Sequence, residues 1–248
     1  MNFQKRKRFI LDELNKQGEV DVKKLAADLS ISEITIRRDL NNLADNGLLF
    51  RTHGGASKTD PLAVPYTYTN KSVQNIAAKD DICREAAKLI NDGDIIFMDC
   101  GSTVFRLCQF IANKRIKVVT NSLPIITALQ NSLVSLNIIG GEYDAKRQAM
   151  HGLIANRHLS FYKAKQAFIG VDGISVNGLF ANTELEAGIT TAFINNSEKT
   201  ILLCDDSKIG KESYLKFAPL TQINTLITNS TSADLVLYEE QGIEIIKV

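Results

Sequence analysis

Thr35, Arg37, Arg38 and Asn41 place a hydroxyl, two guanidiniums and an amide within one short stretch of chain. Groups of this kind read base edges: Arg takes guanine, Asn takes adenine, and hydroxyls take a base or a phosphate. A second set stands further along, where short apolar runs end in small or polar residues. These ends are Asp99-Cys100-Gly101-Ser102-Thr103, Thr120-Asn121-Ser122, Gly140-Gly141-Glu142, Asp172-Gly173 and Asp205-Asp206-Ser207-Lys208. Glycines admit backbone N–H groups, hydroxyls donate, and a lysine balances negative charge. Together they suit a phosphate with a polyhydroxyl group attached.

The first set needs a helix that presents it. Val22, Leu25, Ala26 and Leu29 recur at helical spacing, and the pattern breaks at Ser30-Ile31-Ser32, a short turn ending in a good N-cap. A second helix therefore starts at about Ser32. In it Ile36, Leu40 and Leu43 form one apolar face, leaving Glu33, Ile34, Thr35, Arg37, Arg38 and Asn41 beside the other. Asn46-Gly47 stops this helix, and residues 48–56 then read as a strand ending in two glycines, a wing that carries Arg51 and His53. An earlier helix, Phe3 to Gln17, brings Ile10, Leu11 and Leu14 to a small core, with Lys5, Arg6, Lys7 and Arg8 at one end for phosphates. The expected DNA contacts are Ser32, Ile34, Thr35, Arg37, Arg38, Asn41, Arg51 and His53. An amphipathic helix whose arginines are solvated or paired with Asp39 would use the same residues. Residues 1–58 hold 11 Lys and Arg against 8 Asp and Glu, and the remainder 18 against 20, the sign expected of a nucleic-acid-binding head on an acidic body.

The second set needs a sheet. Apolar runs at Ile95 to Met98, Lys117 to Val119, Leu136 to Ile139, Ala167 to Val171, Thr200 to Cys204, Thr225 to Ile227 and Ile243 to Lys247 alternate with helical patterns. This predicts an α/β body, a mostly parallel sheet covered by helices, with ligands at the carboxyl ends of the strands. Gly101-Ser102-Thr103 opens a helix directly after a strand, where its amides and hydroxyls can wrap an anion, although capping alone asks for the same residues. Lys208 can balance that anion or simply be a surface lysine. The domains expected are a DNA-binding head at 1–58, a linker at 59–75 and a ligand-binding body at 76–248. No apolar run approaches the ~20 residues that cross a bilayer, which predicts a cytoplasmic protein. Cys83, Cys100, Cys108 and Cys204 have no paired spacing and there are three histidines, so neither a disulfide framework nor a metal site is expected.

The run from Ser32 through Ala56, SEITIRRDL followed by GLLFRTHGGA, resembles the DNA-binding signature of DeoR-type bacterial transcription regulators. DCGST at 99–103, VVTNS at 118–122, IGG at 139–141, FIGVDGI at 168–174, Glu186-Ala187 and DDSKIG at 205–210 resemble the sensor domain of the same regulators. That domain is similar in fold to ribose-5-phosphate isomerase. The resemblance implies an N-terminal winged helix-turn-helix in which Thr35, Arg37 and Arg38 contact the groove and phosphates. It implies a phosphorylated sugar effector, with Gly101, Ser102, Thr103 and Lys208 at the phosphate. Asp99, Thr120, Asn121, Gly141, Asp172 and Glu186 would surround the sugar. Cys100 departs from the small hydroxyl or aliphatic residues expected at this site and suggests sensitivity to thiol reagents. Thr190-Thr191 stands where the family often has a basic residue.

The function implied is a repressor of carbohydrate metabolism genes, a homo-oligomer (dimer or tetramer) on operator double-stranded DNA, with no cofactor and no catalytic residue. The rival is a sugar-phosphate isomerase using Asp172, Glu184 or Glu186 as base. The isomerases of this fold carry a second aspartate soon after Asp-Gly, and here Asp172-Gly173 continues Ile174-Ser175-Val176. A nucleic-acid-binding protein without a ligand would leave the polar strand ends unexplained.

Overall fold

The computed structural model describes residues 3–45, 49–52, 54–57 and 74–248, in two compact units, Met1–Tyr66 and Thr67–Val248. The expected helix stop at Asn46-Gly47, Leu48, His53 and all of the expected linker except Gln74 and Asn75 lie outside the described residues.

The first unit runs α1 (Phe3–Gln17), β1 (Glu19–Asp21), α2 (Val22–Leu29), α3 (Glu33–Asp45), β2 (Phe50–Arg51) and β3 (Gly55–Ser57). Its three strands form an antiparallel sheet in the order β1-β3-β2. Asp21 caps α2 by accepting from the N–H groups of Lys23 and Lys24, and Ser30, left-handed at φ 52°, ends it. The Ser32 hydroxyl accepts from the Thr35 N–H at 3.3 Å and starts α3. Ile10, Leu14, Val22, Leu25, Ile36, Leu40 and Leu43 are buried together. A side chain at Gly55 would put its Cβ 1.8 Å from the Val20 carbonyl oxygen, so β3 closes on β1 only through a glycine. Arg6 departs from the expected phosphate-facing cluster: it turns inward, and its guanidinium bonds the carboxylate of Asp39, 2% exposed on α3. Asp39 thus pins α3 to α1, and it is Arg6, not the α3 arginines, that holds it.

The second unit begins with α4 (Ile76–Lys88), β4 (Ile95–Met98), α5 (Ser102–Arg106), α6 (Cys108–Ile111), β5 (Lys117–Thr120), α7 (Leu123–Leu129) and β6 (Ser135–Ile138). A hairpin follows, β7 (Glu142–Asp144) and β8 (Ala149–His151), then α8 (Gly152–Leu159) and β9 (Ala164–Ile169). The chain ends with β10 (Gly173–Ser175), β11 (Gly178–Ala181), α9 (Glu184–Asn195), β12 (Ser197–Leu203), β13 (Leu215–Ala218), β14 (Thr225–Thr228), α10 (Asp234–Glu240) and β15 (Glu244–Lys247).

All seven expected strands join one sheet in the order β15-β14-β12-β9-β4-β5-β6, and every pairing is parallel. Phe97, Ala167 and Leu202 belong to one core, and Ile96, Met98, Phe168 and Leu203 to the core on the other face. Burial on both faces is why the inner strands read as continuous apolar runs. The chain winds outward from β4 to β6 and then returns to the other side of β4 for β9, so the order reverses between β4 and β9. Open α/β sheets bind ligands at such a point.

Candidate functional site

On α3 the residues expected at DNA lie where the hydrophobic spacing puts them. Ser32, Ile34, Arg37, Arg38 and Asn41 are exposed and Thr35 is half-buried, with Ile36, Leu40 and Leu43 on the inner face. Ile34, an aliphatic side chain 80% exposed, has no packing role in this unit and suits contact with a thymine methyl. Arg37 pairs with Glu33 at 3.2 Å one turn earlier. The backbone of Arg51 lies in β2 paired with Ala56 on β3, which makes the wing a true hairpin.

At the reversal between β4 and β9 a cavity opens outside the carboxyl ends of the strands. Asp99, Cys100, Gly101, Ser102, Thr103, Asp172, Glu186 and Lys208, eight of the residues expected at an effector, line it. Gly101 and Gly170 make its floor: a Cβ on Gly101 would sit 3.4 Å from the Gly170 Cα, so the ends of β4 and β9 approach closely. Ser102 and Thr103 occupy the first turn of α5. The buried Lys79 of α4 donates to the Ser102 hydroxyl at 3.2 Å and lines the same cavity. Lys208 follows β12 on a 3-10 turn that Asp205 caps by accepting from the Ser207 N–H.

The other polar groups are held together by Arg147. Its guanidinium donates to Glu186 and lies 3.8 Å from Asp172, with all three side chains mostly buried. Asp172 also accepts from the Asn182 N–H at 3.0 Å. Arg147 is delivered by the tip of the β7–β8 hairpin, where the Asp144 carboxylate accepts from the N–H groups of Lys146 and Arg147. Burial pushes the Asp99 carboxyl above its ordinary range, against the opposing hydrogen bonds from the Cys100 N–H and the Thr190 hydroxyl. Thr190 is itself buried and lines the cavity. Burial, with Asp99 second, also pushes the Cys100 thiol well above its ordinary value. A raised thiol pKa disfavours the thiolate, which counts against the sensitivity to thiol reagents expected of Cys100.

Thr120, Asn121 and Gly141 are not among the residues that line the cavity. Their polar and steric roles serve the hairpin that carries Arg147. The Thr120 hydroxyl accepts from the Ser122 N–H at 3.1 Å, and the Asn121 amide donates to the Met150 carbonyl at 2.9 Å. A Cβ at Gly141 would lie 2.7 Å from the His151 carbonyl oxygen and 2.8 Å from the Ala155 Cβ. Gly141→Ala is expected to destabilise the second unit by about 1–3 kcal/mol, the usual result of overpacking, read as a lower unfolding midpoint in urea.

His151, at the end of β8, is buried, and burial depresses its imidazole below the ordinary value despite the opposing influence of Asp99 and Asp144. Its folded form binds fewer protons than the unfolded chain between that depressed value and the ordinary pKa of about 6.5. Its contribution to stability is thus present above about 6.5 and is lost as pH falls through that window. Thermal melts taken from neutral to mildly acidic pH should show the loss, and His151→Gln should flatten it.

Lys79 and Arg147 escaped the sequence reading. Lys79 had a signal: it sits at helical spacing ahead of Ile82, Cys83, Ala86 and Ile90, a charge on a buried stripe. Arg147 had none, because its hairpin shows no apolar alternation. Among the described residues no group of His, Cys, Asp and Glu is arranged to hold a metal ion, and no helix is long and apolar enough to cross a membrane.

Two family models match the chain, a DeoR-like helix-turn-helix domain over residues 6–61 and a DeoR C terminal sensor domain over residues 74–230. The chain is 37% identical to an L-fucose operon activator of Haemophilus influenzae, over 97% of each chain. It is 35% identical to a lactose phosphotransferase system repressor of Lactococcus lactis, over 93% of this chain and 92% of that one. Among solved structures it is similar to ribose 5-phosphate isomerase A of Methanocaldococcus jannaschii, at 19% identity over 55% of each chain with a TM-score of 0.41. With its exposed recognition helix and its cavity at the sheet reversal, the chain belongs to the DeoR family of DNA-binding transcription regulators.

Proposed function

We propose that this regulator represses carbohydrate-metabolism genes from the cytoplasm, binding operator double-stranded DNA as a homo-oligomer and releasing it when a phosphorylated sugar fills the cavity. The observation that carries this is the composition of the cavity wall. Ser102, Thr103, Lys79 and Lys208 offer hydroxyls and ammonium groups to a phosphate, while Asp172, Glu186 and Arg147 offer both signs of charge to hydroxyls. Of the relatives above, one is named for an L-fucose operon and the other for a lactose phosphotransferase system. The stretch from Ser32 to Asn41 and the wing would carry operator contact through Ser32, Ile34, Thr35, Arg37, Arg38, Asn41, Arg51 and His53. Release requires the sugar phosphate to bind one arrangement of the oligomer better than the other, and the size of the response is bounded by that difference.

The isomerase reading meets a specific obstacle. A catalytic base must be free to take a proton. Glu186 and Asp172 are both engaged by Arg147, Glu184 is exposed and outside the cavity lining, and Asp99 is buried and bonded to Thr190. The cavity supports binding without turnover.

The deciding experiment measures operator binding by fluorescence anisotropy while phosphorylated and unphosphorylated sugars are added, and recovers each sugar afterwards. A phosphorylated sugar that releases DNA and returns unchanged supports the reading. Conversion of a sugar phosphate would make the chain an enzyme, and release by unphosphorylated sugars alone would remove the phosphate from the proposal.

A further inference from the structure

Asn75, expected in the linker, lies instead against the cavity. It stands immediately before α4 and is left-handed at φ 52°, a conformation that Asn adopts more readily than most residues. An asparagine at a helix start ordinarily turns its side chain back onto the first-turn N–H groups, and that of Asn75 makes no such bond. Its carbonyl accepts from the Lys79 N–H at 3.0 Å, while its side-chain amide donates to the Asp205 carboxylate at 3.0 Å, 130 residues on. Asn75 is exposed and Asp205 buried, and both line the cavity with Lys79 and Lys208.

The charges show what this bond does. A carboxylate beside an anion site opposes the anion twice, by repelling it and by competing for the ammonium that should hold it. Asp205 is three residues ahead of Lys208, yet it forms no ion pair among the described residues. Its Oδ1 accepts instead from two N–H groups, the Asn75 amide at 3.0 Å and the Ser207 backbone at 3.1 Å. Hydrogen bonds to a carboxylate stabilise its charge in place and leave less of it for a neighbouring cation. The next residue of the turn is fixed separately: the Asp206 N–H donates to the Asn229 side chain at 2.9 Å, and the Ser230 hydroxyl bonds the Asp206 carboxylate. Asn75 thus ties the turn bearing Lys208 to the helix bearing Lys79.

We propose that Asn75 is a positioning residue for the phosphate end of the cavity: its amide holds the Asp205 carboxylate off Lys208, and its place one turn before Lys79 sets both ammonium groups against one anion. Asn75 acts through the two lysines and Asp205 rather than by holding the phosphate itself. Asparagine suits both demands, since it tolerates the left-handed backbone and carries an N–H donor on a short side chain. The inference rests on the reading of this end as a phosphate site and is independent of which sugar the phosphate carries.

The test titrates inorganic phosphate into the full chain by calorimetry, with the phosphate-free thermal midpoint of each variant measured beside it. Asn75→Gly keeps the left-handed backbone and removes the amide, and it should weaken phosphate binding roughly tenfold, the loss of one hydrogen bond to a charged group, at an unchanged midpoint. Asn75→Asp also keeps the backbone but sets a second carboxylate against Asp205, and should weaken binding further. Adding Asp205→Asn to Asn75→Asp exchanges the ends of the amide–carboxylate pair and should recover most of the loss. Wild-type phosphate affinity in Asn75→Gly, a loss accompanied by a lowered midpoint, or an exchanged pair that recovers nothing would each overturn the proposal. Absence of phosphate binding by the wild type would overturn it together with the phosphate site. Operator release is scored separately with ribose 5-phosphate and glucose 6-phosphate. If phosphate binding depends on Asn75 while neither sugar phosphate releases DNA, the positioning role stands and the repressor reading is weakened; if either releases DNA equally from wild type and Asn75→Gly at equal affinity, the repressor reading stands and the positioning role falls.

Discussion

Lys208→Ala should leave operator affinity unchanged and weaken effector binding roughly 10- to 100-fold, the equivalent of losing a charge-assisted hydrogen bond of about 1.5–3 kcal/mol. Among the described residues three cations line the cavity, and they are not equally available. Arg147 is engaged by Glu186 and Asp172, and the Lys79 ammonium contacts Ser102. Lys208, half-buried, forms no ion pair among the described residues, while its backbone is fixed by the capped turn after β12. A phosphate in the cavity would therefore gain most from Lys208. Anisotropy on the operator checks the first half of the prediction, and isothermal titration with the releasing sugar phosphate checks the second. Lys208→Arg should retain part of the affinity because it keeps the charge, though not the compact geometry. Unaltered effector affinity in Lys208→Ala would place the phosphate elsewhere.

The second large effect is expected at α3. Arg38→Ala should cost about 1–3 kcal/mol of operator affinity if Arg38 reads a base, and the preference at one base position should relax with it. If Arg38 only holds phosphate, the loss should be uniform across sequences and the salt dependence should fall by about one released counterion. Arg37→Ala should cost less. Its guanidinium already pairs with Glu33 at 3.2 Å, an exposed pair worth about 0.3–0.5 kcal/mol that DNA must share or break. Affinities and salt slopes of both variants on one operator, set beside those on a scrambled duplex, separate the cases. An unchanged affinity and slope for Arg38→Ala would remove it from the interface.

Local pattern was enough wherever the physics was local. Helix α1 spans the residues its spacing predicts, and α3 starts beside Ser32 because a serine hydroxyl can satisfy the Thr35 N–H. The central sheet strands were legible because a strand buried on both faces is mostly apolar, as Ile96 to Met98 and Ala167 to Ile169 show directly. Strand edges moved by a few residues, as at β9, which starts at Ala164 rather than Ala167. The β7–β8 hairpin and the sheet of β10, β11 and β13 had no such signature, being short and partly polar or glycine-rich.

The sequence by itself determined the family, the presence of a recognition helix and most of the polar residues at the strand ends. Each of these follows from neighbours in the chain: caps, periodicity, and small residues where a strand meets a helix. Only the tertiary structure decided which strand ends face one another. The reversal between β4 and β9 brings Asp99 to Thr190, 91 residues away, and the hairpin brings Arg147 to Glu186, 39 residues away. The same folding sends Thr120, Asn121 and Gly141 to support the hairpin. It also turns Arg6 inward to Asp39, 33 residues on, because a carboxylate buried on α3 needs a cation and α1 supplies it. Pairings at such separations leave no period in the sequence, since their geometry is set by crossovers and packing rather than by the residues between them.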